Sequence, residues 1–321
     1  MKRRDFLATI AASACGAAFA PRSRGAAALE AVDGLSVIPK RPLGKSGIEL
    51  SVIGFSGLMA RGRTPEEVDR AMGMSLDMGI NYVDVAASYG NAEEMLAPVV
   101  KPHRKDLILA TKTRERGREG AEAEFVRSCQ RLGTDYFDMF LVHGIQHVDR
   151  DVDAAFAQGG AMEYLVEKKK SGQIRLLGFS AHSTESAVAA MDRYDFDFFY
   201  FPISYVPYYK SGFGPDALEK AKETETPCIA LKALARQRWP ETIPGEDRCK
   251  GCWYQPVDDP DEGRLALRWA LSQPVTSILP PSPEDYYVRA LALTDDLSPV
   301  SPEETERLKT MAADKLPLFP R

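Results

Sequence analysis

The chain has 321 residues, 44% of them apolar and 27% charged, which is material for a sizeable core and too apolar for a disordered chain. Its formal charge is −5, but residues 1–28 set Lys2, Arg3, Arg4, Arg22 and Arg24 against Asp5 alone, a local +4, so the remainder carries −9. A body that acidic excludes non-specific nucleic-acid binding, which needs Lys and Arg to neutralise phosphates, and leaves room only for a local basic pocket.

The chain opens Met1-Lys2-Arg3-Arg4-Asp5-Phe6-Leu7 and continues as an apolar, alanine-rich run to Ala20. A basic start, an apolar stretch too short to span a bilayer comfortably and small residues beyond it describe an export signal. The Arg3-Arg4 pair resembles the twin-arginine signal, which implies the twin-arginine export machinery as a partner and a periplasmic or exported destination. Pro21 hinders cleavage after Ala18-Phe19-Ala20, so Ala26-Ala27-Ala28 is the better site. Residues 1–28 are therefore read as the signal and 29–40 as a linker. A lipid anchor on Cys15 is the weaker alternative, and no membrane span is expected.

Beyond the linker, short apolar runs alternate with amphipathic segments. Strands are predicted at 51–55, 81–86, 107–112, 137–143, 174–180, 196–203, 228–234 and 275–279. Helices are predicted at 65–78, 92–100, 121–132, 161–171, 184–194, 215–225, 262–271 and 284–294. Near-continuously apolar strands, each followed by a helix, predict an α/β protein with a parallel sheet covered by helices. No Gly-x-Gly-x-x-Gly turn follows the first strand, so a closed (β/α)8 TIM barrel over 41–321 fits better than an open doubly wound sheet. A short hairpin is expected before it and an enlarged loop, 237–260, after strand seven. Functional residues of such barrels lie where strands end and loops begin. Asp84, Lys112 and His143 hold that place on strands two, three and four, with Tyr89 just beyond strand two.

Asp84-Val85-Ala86-Ala87-Ser88-Tyr89-Gly90, Leu109-Ala110-Thr111-Lys112, Arg131-Leu132-Gly133-Thr134-Asp135 leading to Leu141-Val142-His143, and Gly178-Phe179-Ser180 follow one another in order. With Arg41-Pro42-Leu43-Gly44 before them, they resemble the aldo-keto reductase family over about 41–294. The resemblance implies NADP(H) as cofactor, a small-molecule carbonyl as substrate, and Asp84, Tyr89, Lys112 and His143 as the catalytic group. Carbonyl reduction needs a hydride at carbon and a proton at oxygen. Tyr89 would be the general acid, although a free tyrosine, with a pKa of about 10, donates reluctantly at neutral pH. Lys112 would lower that pKa, Asp84 would hold Lys112, and His143 would orient the carbonyl oxygen.

The departures from the family concern the cofactor. The family usually lays the 2′-phosphate over the loop and helix after strand eight, where an Asn, a Glu and basic side chains are normal. Here Ser282 and Arg289 remain as phosphate candidates, while Glu284 and Asp285 put acid in the same stretch. At the nicotinamide end Ser180 is the clearest surviving contact. Ser56 stands in a usual glycine place, Ala181 in that of Asn, Tyr200 in that of Gln, and Leu231 in that of a stacking Tyr. Lys232 is a candidate for a phosphate or a substrate charge. Two functions therefore stay open: an NAD(P)H-dependent carbonyl oxidoreductase that carries its cofactor tightly bound, and a non-catalytic periplasmic binding or structural protein on the same scaffold.

Cys129 and Cys228 read as small buried hydrophobes. Cys249-Lys250-Gly251-Cys252 has a suggestive spacing, but two neighbouring thiols complete neither an iron–sulfur nor a zinc site, so no metal is expected. A disulfide or reversible redox pair suits an exported protein better. Trp239, Trp253 and Tyr254 in the same loop either wall a substrate pocket or pack it onto the barrel.

Overall fold

The structure is a computed structural model that describes residues 36–319, so the expected export signal and Cys15 lie outside the described residues. The chain begins with an antiparallel hairpin, β1 (Lys40–Pro42) and β2 (Glu49–Ser51). The barrel strands follow as β3 (Phe55–Ser56), β4 (Tyr82–Asp84), β5 (Ile108–Thr113), β6 (Phe137–Ile145), β7 (Ile174–Ala181), β8 (Phe198–Pro202) and β9 (Cys228–Leu231). A second hairpin, β10 (Ala235–Arg238) with β11 (Tyr254–Pro256), forms inside the enlarged loop before the last barrel strand, β12 (Val275–Leu279). The eight barrel strands are parallel and run in sequence from β3 to β12. The ring closes where Gly54 donates to the Ile278 carbonyl and Ile278 to that of Val52, each at 2.9 Å.

Side chains two residues apart on a strand share a face. Tyr82, Ala110, Met139, Leu141, Leu176, Phe198, Tyr200, Ile229 and Leu279 accordingly form one buried cluster within the ring, joined by Leu43, Ile48 and Leu50 of the first hairpin. That hairpin sits at the strands' N-terminal ends, with Asn81 donating to the Glu49 carbonyl and Thr276 to that of Pro42. It plugs the bottom of the barrel. Gly178 supplies the room this filling needs: a Cβ there would lie 2.6 Å from the Phe198 ring. The outward faces of the same strands pack on the helices in a second, larger cluster.

The helices are α1 (Pro65–Asp77), α2 (Ala92–Val100), α3 (Arg118–Leu132), α4 (Ala161–Lys170), α5 (Thr184–Met191), α6 (Tyr205–Ser211), α7 (Pro215–Glu223), α8 (Pro260–Ser272), α9 (Glu284–Ala292) and α10 (Pro302–Ala313). α1 is started by a capping box in which Thr64 and Glu67 satisfy each other's backbone N–H. α6 and α10 were not foreseen. They pack against each other and beside α8, whose buried Trp269 donates from Nε1 to the Tyr209 hydroxyl at 2.8 Å. The predicted strand over 228–234 stops at Leu231, because Lys232 turns into the left-handed region with φ 60°. After α10 the chain returns to the upper hairpin, where Arg238 donates to the Leu316 carbonyl at 2.9 Å. Among the described residues no helix is long and apolar enough to cross a membrane.

Candidate active site

Asp84, Lys112, His143, Ser180 and Leu231 each stand two residues beyond an interior residue of the same strand. They are the last inward step before the strands leave the barrel, and together they line a cavity of about 310 Å³ at its C-terminal mouth. Tyr89 reaches the same cavity from the loop after β4, and Ser282 and Lys232 line its other side. The expected catalytic group and three of the four expected cofactor residues thus share one opening.

Lys112 is the hub of the group. Its ammonium donates to Asp84 Oδ2 at 2.6 Å, to the Val85 carbonyl at 2.8 Å and to the Tyr89 hydroxyl at 3.5 Å, and it lies 4.9 Å from the centre of the Tyr89 ring. Burial opposes charge on Lys112, yet Asp84 and Tyr89 together outweigh it and hold the ammonium above its ordinary range. For Tyr89 the balance differs from the sequence expectation. Burial holds its phenol above the usual tyrosine value, and Lys112 pulls it back without reversing the shift. Lys112 therefore moderates a raised pKa and does not deliver a lowered one.

His143 stands edge-on to Tyr89, with ring centres 5.8 Å apart. Burial, then Lys112, Arg114, His182 and Arg116, hold its pKa well below the ordinary value, so the imidazole is neutral at physiological pH. Its strand end is pinned by Arg116, which donates to the His143 carbonyl at 2.9 Å and pairs with Asp151 at 3.0 Å. Ser180 Oγ accepts from the Gly144 N–H at 2.7 Å, which leaves its hydroxyl proton for the cavity. Beneath the group, the hydroxyls of Tyr82 and Tyr200 are hydrogen-bonded to each other inside the barrel. Both hydroxyls also act on Asp84, so Tyr200 belongs to the floor beneath the tetrad.

A second, larger cleft of about 1110 Å³ lies beside the first, between the upper hairpin and α9. The segments 249–252 and 282–283 each give residues to both cavities. Arg289 belongs to this second cleft, not to the mouth, and pairs there with Asp258 at 3.0 Å. Glu284, expected among the acids of the groove, is turned instead to α1 and its approach, where Arg63 and Arg70 hold it at 2.5 and 3.3 Å. Asp285 does line the cleft, with Arg248 and Lys250 across from it. Cys249 and Cys252 are not joined; the Cys252 N–H donates to the Cys249 carbonyl at 3.3 Å within one turn. Trp239 pins that turn by donating to the Cys252 carbonyl at 3.0 Å.

Sequence reasoning missed His182, Arg114 and Phe319 at the mouth. His182 lay one residue beyond Ala181 at a strand end, where the barrel rule could have flagged it. Phe319 gave no signal, since only the path of the last segment brings it there.

The profile that describes the aldo/keto reductase family matches residues 52–246. This chain belongs to the aldo/keto reductase family. Among curated relatives, the uncharacterized oxidoreductase YqkF of Bacillus subtilis is 31% identical over 156 residues, covering 44% of this chain and 48% of its own. A 6-dehydroglucose reductase of Novosphingobium aromaticivorans is 29% identical over 174 residues, 48% of this chain and 55% of that one. The chain thus matches about half the length of these relatives. Among solved structures, aldo-keto reductase AKR11C1 of Bacillus halodurans in its apo form superposes with a TM-score of 0.65 at 25% identity, covering 87% of this chain and 98% of the other. Its holo form gives 0.69 at 24% identity. The likeness to solved reductases therefore spans almost the whole of their barrel.

Proposed function

We propose that this aldo/keto reductase is an NAD(P)H-dependent oxidoreductase that reduces an aldehyde or ketone, with Tyr89 as general acid. The observation that carries the reading is the hub at Lys112, which joins Asp84, the strand backbone and Tyr89 beside a neutral His143. A carbonyl oxygen set between Tyr89 and His143 receives the Tyr89 proton, and His143, being neutral, directs the oxygen by hydrogen bonding without adding charge. The phenolate left behind is stabilised by the Lys112 ammonium, which Asp84 keeps in place. The non-catalytic alternative leaves this assembly without a purpose, because a buried ion pair is weak support for stability on its own.

NADP(H) is supported as the cofactor by the paired clefts. Leu231 offers an apolar wall and Ser180 and Ser282 offer hydroxyls at the mouth, while Arg248, Lys250 and Arg289 offer cations in the second cleft. When bound, the reduced nicotinamide supplies the hydride to the carbonyl carbon. We further propose export through the Arg3-Arg4 segment, which requires the cofactor to travel with the folded protein.

Tyr89→Phe tests the assignment. It is expected to lower aldehyde turnover by about 10²–10⁴-fold, the range of a lost general acid, while NADPH affinity stays within about twofold. Undiminished turnover removes Tyr89 from the acid role.

A further inference from the structure

The mouth holds more cationic chemistry than the tetrad uses. Arg61, Arg114 and Lys232 line it besides Lys112, and the one carboxylate among its described lining residues is Asp84, which Lys112 already occupies. Lys232 is the least explained of these. It faces the cavity from the end of β9, its backbone is held in the left-handed region at φ 60°, and among the described residues it makes no ion pair. Its ammonium donates to His182 Nε2 at 3.0 Å and lies 5.7 and 5.8 Å from the rings of Trp253 and Phe319.

A non-glycine residue in the left-handed region carries backbone strain, which persists where the surroundings over-determine it and clusters at ligand sites. An amine set among aromatic rings without an anion holds its proton weakly, and an anionic ligand beside it would favour the charged form. His182, accepting at Nε2, carries its proton at Nδ1, so it is neutral and cannot be that anion. Burial, then Lys232 and Arg114, keep it so. Phe319 stacks on the His182 ring at 5.7 Å and 19°, which fixes the imidazole and so the ammonium it receives. His182 and His143 line the same mouth, so this corner adjoins the place where a carbonyl oxygen would sit.

We propose that the substrate is an anionic carbonyl compound, an oxo acid, whose carboxylate is received by Lys232 while its carbonyl oxygen is held by Tyr89 and His143. The assignment deepens the carbonyl-reduction reading and rests on it. A phosphate of the cofactor has the same chemistry, and the experiment separates the two sources.

Reduction of 4-carboxybenzaldehyde and of methyl 4-formylbenzoate by the full chain with NADPH is compared in the wild type and in Lys232→Met. The wild-type preference for the carboxylate, divided by that of the variant, cancels both intrinsic reactivity and any change in cofactor affinity. A quotient of about 10–100 is expected, which is what one charge-assisted hydrogen bond supplies. In the wild type the preference should fade as pH rises through about 7, where burial lets Lys232 lose its proton. It should persist to higher pH in Lys232→Arg, whose guanidinium stays charged. A quotient near one overturns the proposal. So does an equal loss on both aldehydes with weakened NADPH binding, which assigns Lys232 to a cofactor phosphate. If Lys232→Met does not fold, the wild type and Lys232→Arg decide, and the absence of a carboxylate preference in both overturns it. If neither aldehyde is reduced, the carbonyl reading fails, and calorimetric binding of benzoate against benzamide decides the anion site alone. Benzoate selectivity kept by Lys232→Arg supports the site, and no selectivity in the wild type overturns it.

Discussion

Replacing Lys112 by Met removes the ammonium from the centre of the site and leaves the shape of its stem. At 3.5 Å from the Tyr89 hydroxyl and an effective dielectric of about 20, an ammonium attracts a full phenolate charge by roughly 5 kcal/mol. A transition state with half that charge loses about half of it, so kcat should fall by roughly 50- to 100-fold. NADPH affinity should change little, because Lys112 sits beneath Tyr89 and is spent on Asp84 and the Val85 carbonyl. Stability complicates the reading, since both partners are almost fully buried, at 2% and 4% side-chain exposure. Breaking such a pair from one side is destabilising by about 3–5 kcal/mol. The double variant Asp84→Asn/Lys112→Met removes the orphaned carboxylate as well. It should unfold at a higher temperature than Lys112→Met while remaining equally inactive. Steady-state kinetics on one aldehyde with thermal unfolding of the wild type and the two variants measures all of this. A kcat loss below about tenfold in a folded Lys112→Met protein would refute the electrostatic role.

Three further outcomes follow from the geometry. Because His143 and His182 are both held well below the ordinary histidine value, the unfolded chain takes up protons below about pH 6.5 that the folded one does not. Stability is then full above that pH and falls as pH drops below it. Urea unfolding should show a lower midpoint at pH 5.5 than at 7.5, and His182→Phe should shrink the difference; an unchanged midpoint contradicts it. Gly178→Ala forces a methyl to 2.6 Å from the Phe198 ring and should destabilise by about 1–3 kcal/mol in equilibrium unfolding; a neutral result means that the interior yields more than its packing implies. Arg289→Ala should weaken NADPH binding a few-fold and leave NADH unaffected if this exposed arginine meets the 2′-phosphate; equal effects on both remove it from that role.

The sequence read the barrel well because its strands are short, apolar and buried on both faces, and the same runs then mark the last inward residue of each. Asp84, Lys112 and His143 were legible for that reason. Tyr82 was not singled out, although it lies two residues before Asp84 and shares its face; its pairing with Tyr200 joins strands that are remote in sequence. α6 was hidden by Pro207 and by three tyrosines that read as strand or loop, and it forms because Tyr208 and Tyr209 pack on Trp269. α10 carried a visible start in Ser301 and Glu304, whose capping box is present in the structure, but no apolar stripe strong enough to draw attention. The raised pKa of Tyr89 was out of reach of sequence reasoning, which could name its charged partner but not the depth of burial that outweighs it. Glu284 was misjudged for a similar reason: Arg63 and Arg70, which turn it away from the groove, stand more than two hundred residues earlier.

The two ends of the described chain lie at opposite ends of the barrel. Ile38 is tied to Met78 at the foot of the barrel, whereas Phe319 rests on His182 at the mouth. A tether, label or purification handle joined ahead of the hairpin would hang from the face opposite the chemistry and leave the opening clear. The same handle appended after Phe319 would stand at the doorway.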